Sequence, residues 1–202
     1  MKTRRLLWIS ILAIAALAIA RDASAIEQHR NHRVEHAVAG ELARVDRAAK
    51  TIAIKTADGV EETLKFTGRT TVHAVDATGK VVGKAALATE LAGKEGEHVV
   101  VRYTVEGTEK TATDVRRFGK GTLHESKGVI TKVDKAADTM TVKTEHGTEE
   151  TYHVAKDAAI DTGHGTVRFA ELTDTGGQVV IHYTEDAGRK IGHAFKVVGR
   201  TI

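Results

Sequence analysis

The chain has 202 residues, of which 28% are charged, 41% hydrophobic and 4% aromatic, and it contains neither Cys nor Pro. These fractions are typical of a folded protein and exclude wholesale disorder. The lack of Cys excludes disulfides, Cys-ligated zinc, iron–sulfur clusters and thiol nucleophiles, and the formal net charge of the chain is +3.

The first 25 residues have the pattern of a secretory signal peptide. Three cations lie within the first five residues, an apolar segment of 15 residues follows from Leu6 to Ala20, and Ala23-Ser24-Ala25 is a small-residue cleavage site. A membrane-spanning helix needs about 20 apolar residues. We therefore expect a signal-peptide helix over 1–25, no stable membrane anchor after cleavage, and a periplasmic or secreted protein. The Arg4-Arg5 pair leaves open whether export follows the general or the twin-arginine route.

Removal of the signal peptide abolishes the basic excess of the chain. The segment takes four cations and one acid with it, so that 26 of each remain when His is neutral. A nucleic-acid-binding protein is expected to retain a basic excess. The only Trp, Trp8, is also lost with the signal peptide. The composition therefore predicts no nucleic-acid partner.

Residues 26–39 are predicted to form a polar, His-rich arm. His29, His32 and His36 are spaced by three and four residues. On a helix this spacing would place all three imidazoles on one face, where they could hold a Zn, Ni or Cu ion. The alternative is a solvated terminal segment without a ligand. These three histidines are the candidate metal ligands.

The rest of the chain aligns with itself. An offset of 88 pairs Gly40–Val72 with Gly128–Ile160, with 12 of 33 positions identical, and an offset of 80 pairs Val99–Thr104 with Val179–Thr184. Seven additional residues in the first copy account for most of the change in offset. The sequence therefore predicts two domains, 40–119 and 128–199, joined by a linker, 120–127.

Each copy has the pattern of short strands. Apolar and polar residues alternate in Thr51–Thr56 and Thr139–Thr144, the period of a half-buried strand, and Asp58-Gly59 and His146-Gly147 are turn sequences. Further strands are predicted at 62–66, 98–104 and 110–118, and short helical turns at 85–91 and 167–172. Closing so small a sheet removes its free edges. The predicted fold class is all-β: two tandem small OB-like β-barrels behind a signal-peptide helix.

The repeated pattern resembles a known family. Gly-x-[Leu/Ile]-x-x-Val-Asp is followed by Thr-x-x-[Ile/Val]-Lys-Thr and by Val-Val-[Val/Ile]-x-Tyr-Thr. This arrangement resembles exported bacterial domains of unknown function, which are small OB-like or SH3-like barrels found singly or in tandem behind signal peptides. The resemblance implies the fold and export. It implies no catalytic or ligand-binding residues.

Catalytic patterns are missing from the sequence. The pairs Glu61-Glu62 and Glu149-Glu150 recur in both copies, but neighbouring residues on a strand point to opposite faces and cannot converge on one substrate. No Ser/His/Asp grouping, HExxH motif or phosphate-binding Gly loop occurs. Six histidines have counterparts of another residue type in the other copy: His73, His98, His146, His153, His182 and His193. We therefore expect no enzyme, no catalytic residues and no cofactor.

The predicted function is that of an exported, non-enzymatic binding or scaffold protein. Its partner would be an unknown envelope component, a protein or a small ligand, because OB-like barrels often bind along a strand face or between loops. The alternative is a periplasmic metal-handling protein that uses the N-terminal His cluster, together with His124 in the linker.

Overall fold

The computed structural model describes residues 33–76, 78–85, 88–173 and 175–198. The first sheet contains β1 (Glu35–Asp46), β2 (Thr51–Lys55), β3 (Glu61–Lys65), β4 (Thr71–Val75), β5 (Val81–Ala85), β6 (His98–Glu106) and β7 (Glu109–Gly119). The second contains β8 (His124–Asp134), β9 (Thr139–Thr144), β10 (Glu149–Asp161), β11 (Thr166–Val167), β12 (Gln178–Asp186) and β13 (Arg189–Val198). Two 3₁₀ helices lie at Ala88–Leu91 and Phe169–Glu171. The all-β prediction is confirmed. The predicted signal peptide lies outside the described residues.

None of the helices in the described ranges has the length and apolarity needed to cross a membrane.

The first sheet closes into a five-stranded barrel. Its ring runs β1–β2–β3–β7–β6 and back to β1, and the closing contact is a parallel pairing of Lys65 in β3 with Thr111 in β7. Strand β4 pairs with β7 in parallel, and β5 extends the sheet from β4. In β2, Ile52 and Ile54 are fully buried in the barrel and Lys55 is exposed, while Ala53 between the isoleucines is buried as well.

The second sheet closes in the same way. Its ring runs β8–β9–β10–β13–β12 and back to β8. The single long strand β10 takes the places of both β3 and β4, with an irregularity between Val154 and Ala159 where the register shifts. Positions 88 apart occupy equivalent pairs: Leu42 faces Ile54 in the first barrel, and Ile130 faces Val142 in the second.

The strand bounds differ from the segment boundaries expected from the sequence. Strand β1 begins at Glu35, within the expected arm, and β8 begins at His124, within the expected linker. The physical reason is pairing and packing. Residues 35–41 pair with β6, Val38 is buried in the first barrel and Ala39 is buried on its outside. A chain that started at Gly40 would therefore lack the first part of β1.

The two barrels pack against each other through a separate hydrophobic cluster. Its members are apolar side chains on the outside of the barrels: Ala39, Val75, Val100, Phe118, Leu123, Ala159 and Ala194. Polar contacts surround the cluster. The Arg116 guanidinium pairs with the Asp157 carboxylate, and Arg102 donates to the backbone carbonyl oxygens of Asp157 and Ala158, both at 3.1 Å. Apolar burial and charge pairing together hold the barrels as one compact unit.

Candidate functional site

A cleft of about 340 Å³ lies between the two barrels. Its floor is the outer face of β8, β12 and β13. On β12, Val179 and Ile181 point into the second barrel and are almost fully buried. Side chains alternate along a strand, so Val180 and His182 point outward and line the cleft. The register places one row of Lys127, Val180 and Lys196 across this face and a second row of Glu125, His182 and Ala194 beside it.

The opposite wall belongs to the first barrel. Ala37 and Ala39 of β1 contribute small side chains, and Asp58 approaches from the turn between β2 and β3. Two charged residues and one His therefore lie close to the lysines of the floor: Asp58, Glu125 and His182. The small alanines leave the space that larger side chains would fill.

One end of the cleft is built around a buried carboxylate. Asp161 ends β10 in the second barrel and is 6% exposed. Its Oδ2 accepts a hydrogen bond from the backbone N–H of Ala37 at 2.9 Å and lies 3.2 Å from His36 Nδ1. Its Oδ1 accepts from the backbone N–H of Gly163 at 2.7 Å. Because a buried charge is costly unless it is hydrogen-bonded, these three contacts account for the placement of Asp161 between the barrels.

A cluster of ionisable and aromatic side chains surrounds His36. The imidazole stacks on Tyr103 with ring centroids 5.7 Å apart, and Lys110 Nζ lies 5.4 Å from the centre of the same ring. Lys110 also pairs with Glu62 at 2.7 Å. Burial, followed by the negative charges of Glu62 and Asp161, raises the pKa of Tyr103 to about 12. Tyr103 is therefore a neutral hydrogen-bonding group at physiological pH.

The second barrel contains the same cluster. The His124 ring lies tilted against Tyr183 with ring centroids 5.5 Å apart, Lys190 Nζ lies 5.1 Å from the centre of the Tyr183 ring, and Lys190 pairs with Glu150 at 2.7 Å. The pKa of Glu150 is lowered, first by its hydrogen bond with Lys190 and then by that with Tyr152. Reasoning from the sequence missed this cluster, although His36 and His124 are separated by the same offset of 88 that relates Glu62 to Glu150.

The charges at the other end of the cleft are less evenly paired. Lys127 contacts Glu125 Oε1 at 3.2 Å, whereas Glu125 Oε2 is buried without a hydrogen-bond partner among the described residues. Burial is the main cause that lowers the pKa of His182 to about 4, and the charges of His98, Lys127 and Lys196 contribute to this shift. His182 is therefore uncharged at neutral pH.

The structure places only one of the three candidate metal ligands. His36 lies on strand β1, so the expected helical face is not present at this residue, and its imidazole contacts Tyr103 and Asp161. His29 and His32 lie outside the described residues. Within the described ranges, no group of three or more His, Asp and Glu side chains is arranged to hold a metal ion. The metal assignment stays a prediction.

The repeated acidic residues have local partners. Glu62 pairs with Lys110 and Glu150 with Lys190, each at the rim of its barrel. Asp46 and Asp134 stabilise the turns that follow β1 and β8, because each Oδ1 accepts a backbone N–H three residues on, from Ala49 at 2.8 Å and Ala137 at 3.1 Å.

No protein-family model matches the sequence, and no curated protein matches it. Among solved structures, the chain is similar to Ag(I)-bound CusF and, from Escherichia coli, to CusF–Ag(I) and apo-CusF. Each of the three structures is 11% identical to this chain, with a TM-score of 0.30. Each match covers 38% of this chain, and the matches cover 97%, 92% and 88% of the three CusF chains in the order given.

Proposed function

We propose that the chain is an exported, non-enzymatic binding protein whose ligand site is the cleft between the barrels. The observation that carries this proposal is the cleft itself, to which both barrels contribute ionisable side chains. Its volume of about 340 Å³ lies within the range of small-molecule sites, about 300 to 1,000 Å³. The signal-peptide pattern of residues 1–25 supports export to the periplasm or beyond.

The cleft favours a small polar ligand over a polymer. Its lining combines carboxylates, lysines, a neutral His and the Tyr103 hydroxyl with small apolar side chains, which is the composition of a site that orients a compact molecule. Because the cleft lies between two barrels that pack through a hydrophobic cluster, we expect it to be present before the ligand arrives.

Filling the cleft tests this proposal. We expect V180W to abolish ligand binding, because Val180 lies in the middle of the floor and an indole would occupy the space. The matched control is V82W, because Val82 is 64% exposed on β5 and does not line the cleft. The measurement is saturation-transfer NMR with a panel of organic acids, amino acids, amines and sugars, and thermal unfolding verifies that both variants are folded. Equal binding by both folded variants, or no binding by the wild-type chain, would contradict the proposal.

A second candidate function is metal handling by His29, His32 and His36. What favours it is the pair formed by His36 Nδ1 and Asp161 Oδ2, which supplies two metal-ligand types side by side at the cleft. The two remaining histidines precede β1 in the chain. His124 contacts Tyr183 in the second barrel and belongs to the repeated cluster described above.

Substitution in the intact mature chain tests metal handling without removing part of β1. If the three histidines form a site, H29A/H32A should weaken the binding of Zn²⁺, Cu²⁺ or Ni²⁺ by at least about tenfold, as loss of two ligands would do. Calorimetric titration measures this. H146A is the control, because His146 lies in an exposed turn of the second barrel. Identical titrations for the wild type and H29A/H32A would exclude metal handling by these histidines.

A further inference from the structure

Two lysines on the floor of the cleft carry charge that the protein neutralises only in part. Lys127 forms an ion pair with one carboxylate, that of Glu125. Lys196 is exposed and forms no ion pair within the described part of the chain. We propose that the row of Lys127 and Lys196 binds an anionic group of the cleft ligand, a carboxylate or a phosphate. This inference rests on the proposed function, since it names the ligand class of the same cleft.

The register brings the two ammonium groups to one place. Lys127 and Lys196 both pair with Val180, from opposite sides, so they flank it in a single row. Neighbouring strands are about 4.8 Å apart, which separates the two backbones by about 10 Å. Side chains as long as Lys can span that gap above a residue as small as Val180 and converge on one anion.

Most acidic residues of the cleft have partners other than Lys127 and Lys196. Asp161 has three hydrogen-bonding contacts of its own, and Glu62 pairs with Lys110. Glu125 engages Lys127 through one oxygen. Lys127 and Lys196 both lie close enough to the neighbouring His182 to lower its pKa. An anion placed over the row would therefore meet two ammonium groups, of which Lys196 forms no ion pair within the described ranges.

Asp58 is the remaining carboxylate, and it approaches the row from the other barrel. Hydrogen bonding with Thr56 is the main cause of its lowered pKa, and Lys196 and Lys127 contribute further. Asp58 lies in an exposed turn next to Gly59, which has a φ of +81°. The equivalent turn of the second barrel has His146 in this position. The Asp58 carboxylate thus interacts with the two lysines, and an anionic ligand must compete with it for them.

The test uses the intact mature chain, with citrate and inorganic phosphate as anionic probes and putrescine as a cationic one. Two-dimensional ¹⁵N NMR follows the amide signals of residues 125–127, 180–182 and 194–196. We expect citrate or phosphate to shift these signals, K127Q and K196Q each to weaken the binding by about tenfold or more, and D58N to strengthen it several-fold. The matched controls are K143Q, at an exposed Lys on β9, and E95Q, at an exposed Glu.

The outcomes separate this inference from the proposed function. Signal shifts with citrate alone or with phosphate alone support the anion site and identify its ligand group as a carboxylate or as a phosphate, respectively. Equal weakening by K143Q and K196Q overturns it, because the effect would then be general surface charge. Binding of putrescine or a neutral compound in the cleft, with no response to either anion, overturns the anion site and leaves the cleft as a binding site. No shift with any probe or any compound of the screening panel overturns both.

Discussion

G40A and G128A should each lower the free energy of unfolding by about 2 to 3 kcal/mol. Gly40 and Gly128 are equivalent positions in the two barrels, where β1 and β8 pass close to the neighbouring strand. A Cβ on Gly40 would overlap the carbonyl oxygen of Lys55, and one on Gly128 would overlap that of Lys143. These oxygens belong to strands that are held by several pairs, so the clash cannot be relieved by turning a side chain.

Thermal unfolding measures the effect. For a chain of this size, about 2 to 3 kcal/mol corresponds to a fall in Tm of roughly 4 to 12 °C. G68A is the matched control, because a Cβ on Gly68 meets no atom within 4 Å and the residue does not have a positive φ. We expect its Tm to stay within about 2 °C of the wild type. If G40A unfolds at the same temperature as G68A, the close approach is not what requires glycine at these positions.

Acidification from pH 6.5 towards pH 4 should destabilise the contact between the barrels through His193. This side chain is 1% exposed, its Nε2 lies 2.8 Å from the Thr184 hydroxyl, and its Nδ1 is buried with no hydrogen-bond partner among the residues that the structure describes. The Phe118 ring of the first barrel lies 4.6 Å away, and Gly79 of the β4–β5 turn faces the imidazole so closely that a Cβ there would touch it.

The sign follows from the environment of the imidazole. Burial and the positive charge of Arg116 lower the pKa of His193 to about 4, against the partly opposing charges of Asp157 and Asp76. Between about pH 6.5 and pH 4, His193 is protonated in the unfolded chain and neutral in the folded chain. The stabilisation is therefore complete above pH 6.5 and is lost progressively down to about pH 4, by up to about 3 kcal/mol.

Urea unfolding at pH 7 and at pH 4.5 measures this loss. In H193Q, whose amide can still reach Thr184, we expect the difference in unfolding free energy between the two pH values to shrink by about 2 to 3 kcal/mol. Burial lowers the pKa of His182 to about 4 as well, so H182Q/H193Q should reduce the difference further. H146Q, at an exposed turn, is the control. An unchanged pH difference in H193Q would show that His193 is not the titrating group.

The periodicity of the sequence predicted most of the local structure. The expected strand over 139–144 coincides with β9, and the helical turns expected at 85–91 and 167–172 contain the two 3₁₀ helices. Asp46 and Asp134 each accept a backbone N–H in the turn that follows them. These features are local, because alternation sets which face of a strand is buried and a side-chain oxygen can reach a backbone N–H three residues away.

The candidate site could be predicted only in fragments. The His cluster was expected from a helical spacing, whereas His36 belongs to a strand because residues 35–41 find a pairing partner in β6, some 60 residues further along the chain. The repeated group of His36, Tyr103, Lys110 and Glu62 could have been found by extending the offset comparison upstream of Gly40. Nothing in the sequence indicated that Asp161 of one copy would meet His36 of the other.

The sequence by itself determined the all-β class, several of the strands and the turns between them, since these follow from the alternation of side chains and from residues that favour turns. Only the tertiary structure decided how the barrels meet. The outward side chains that pack there, such as Ala39, Phe118 and Ala194, alternate with core residues and look like surface positions in the sequence. Their partners lie on another barrel, so both the hydrophobic contact and the cleft beside it depend on distances that no local pattern encodes.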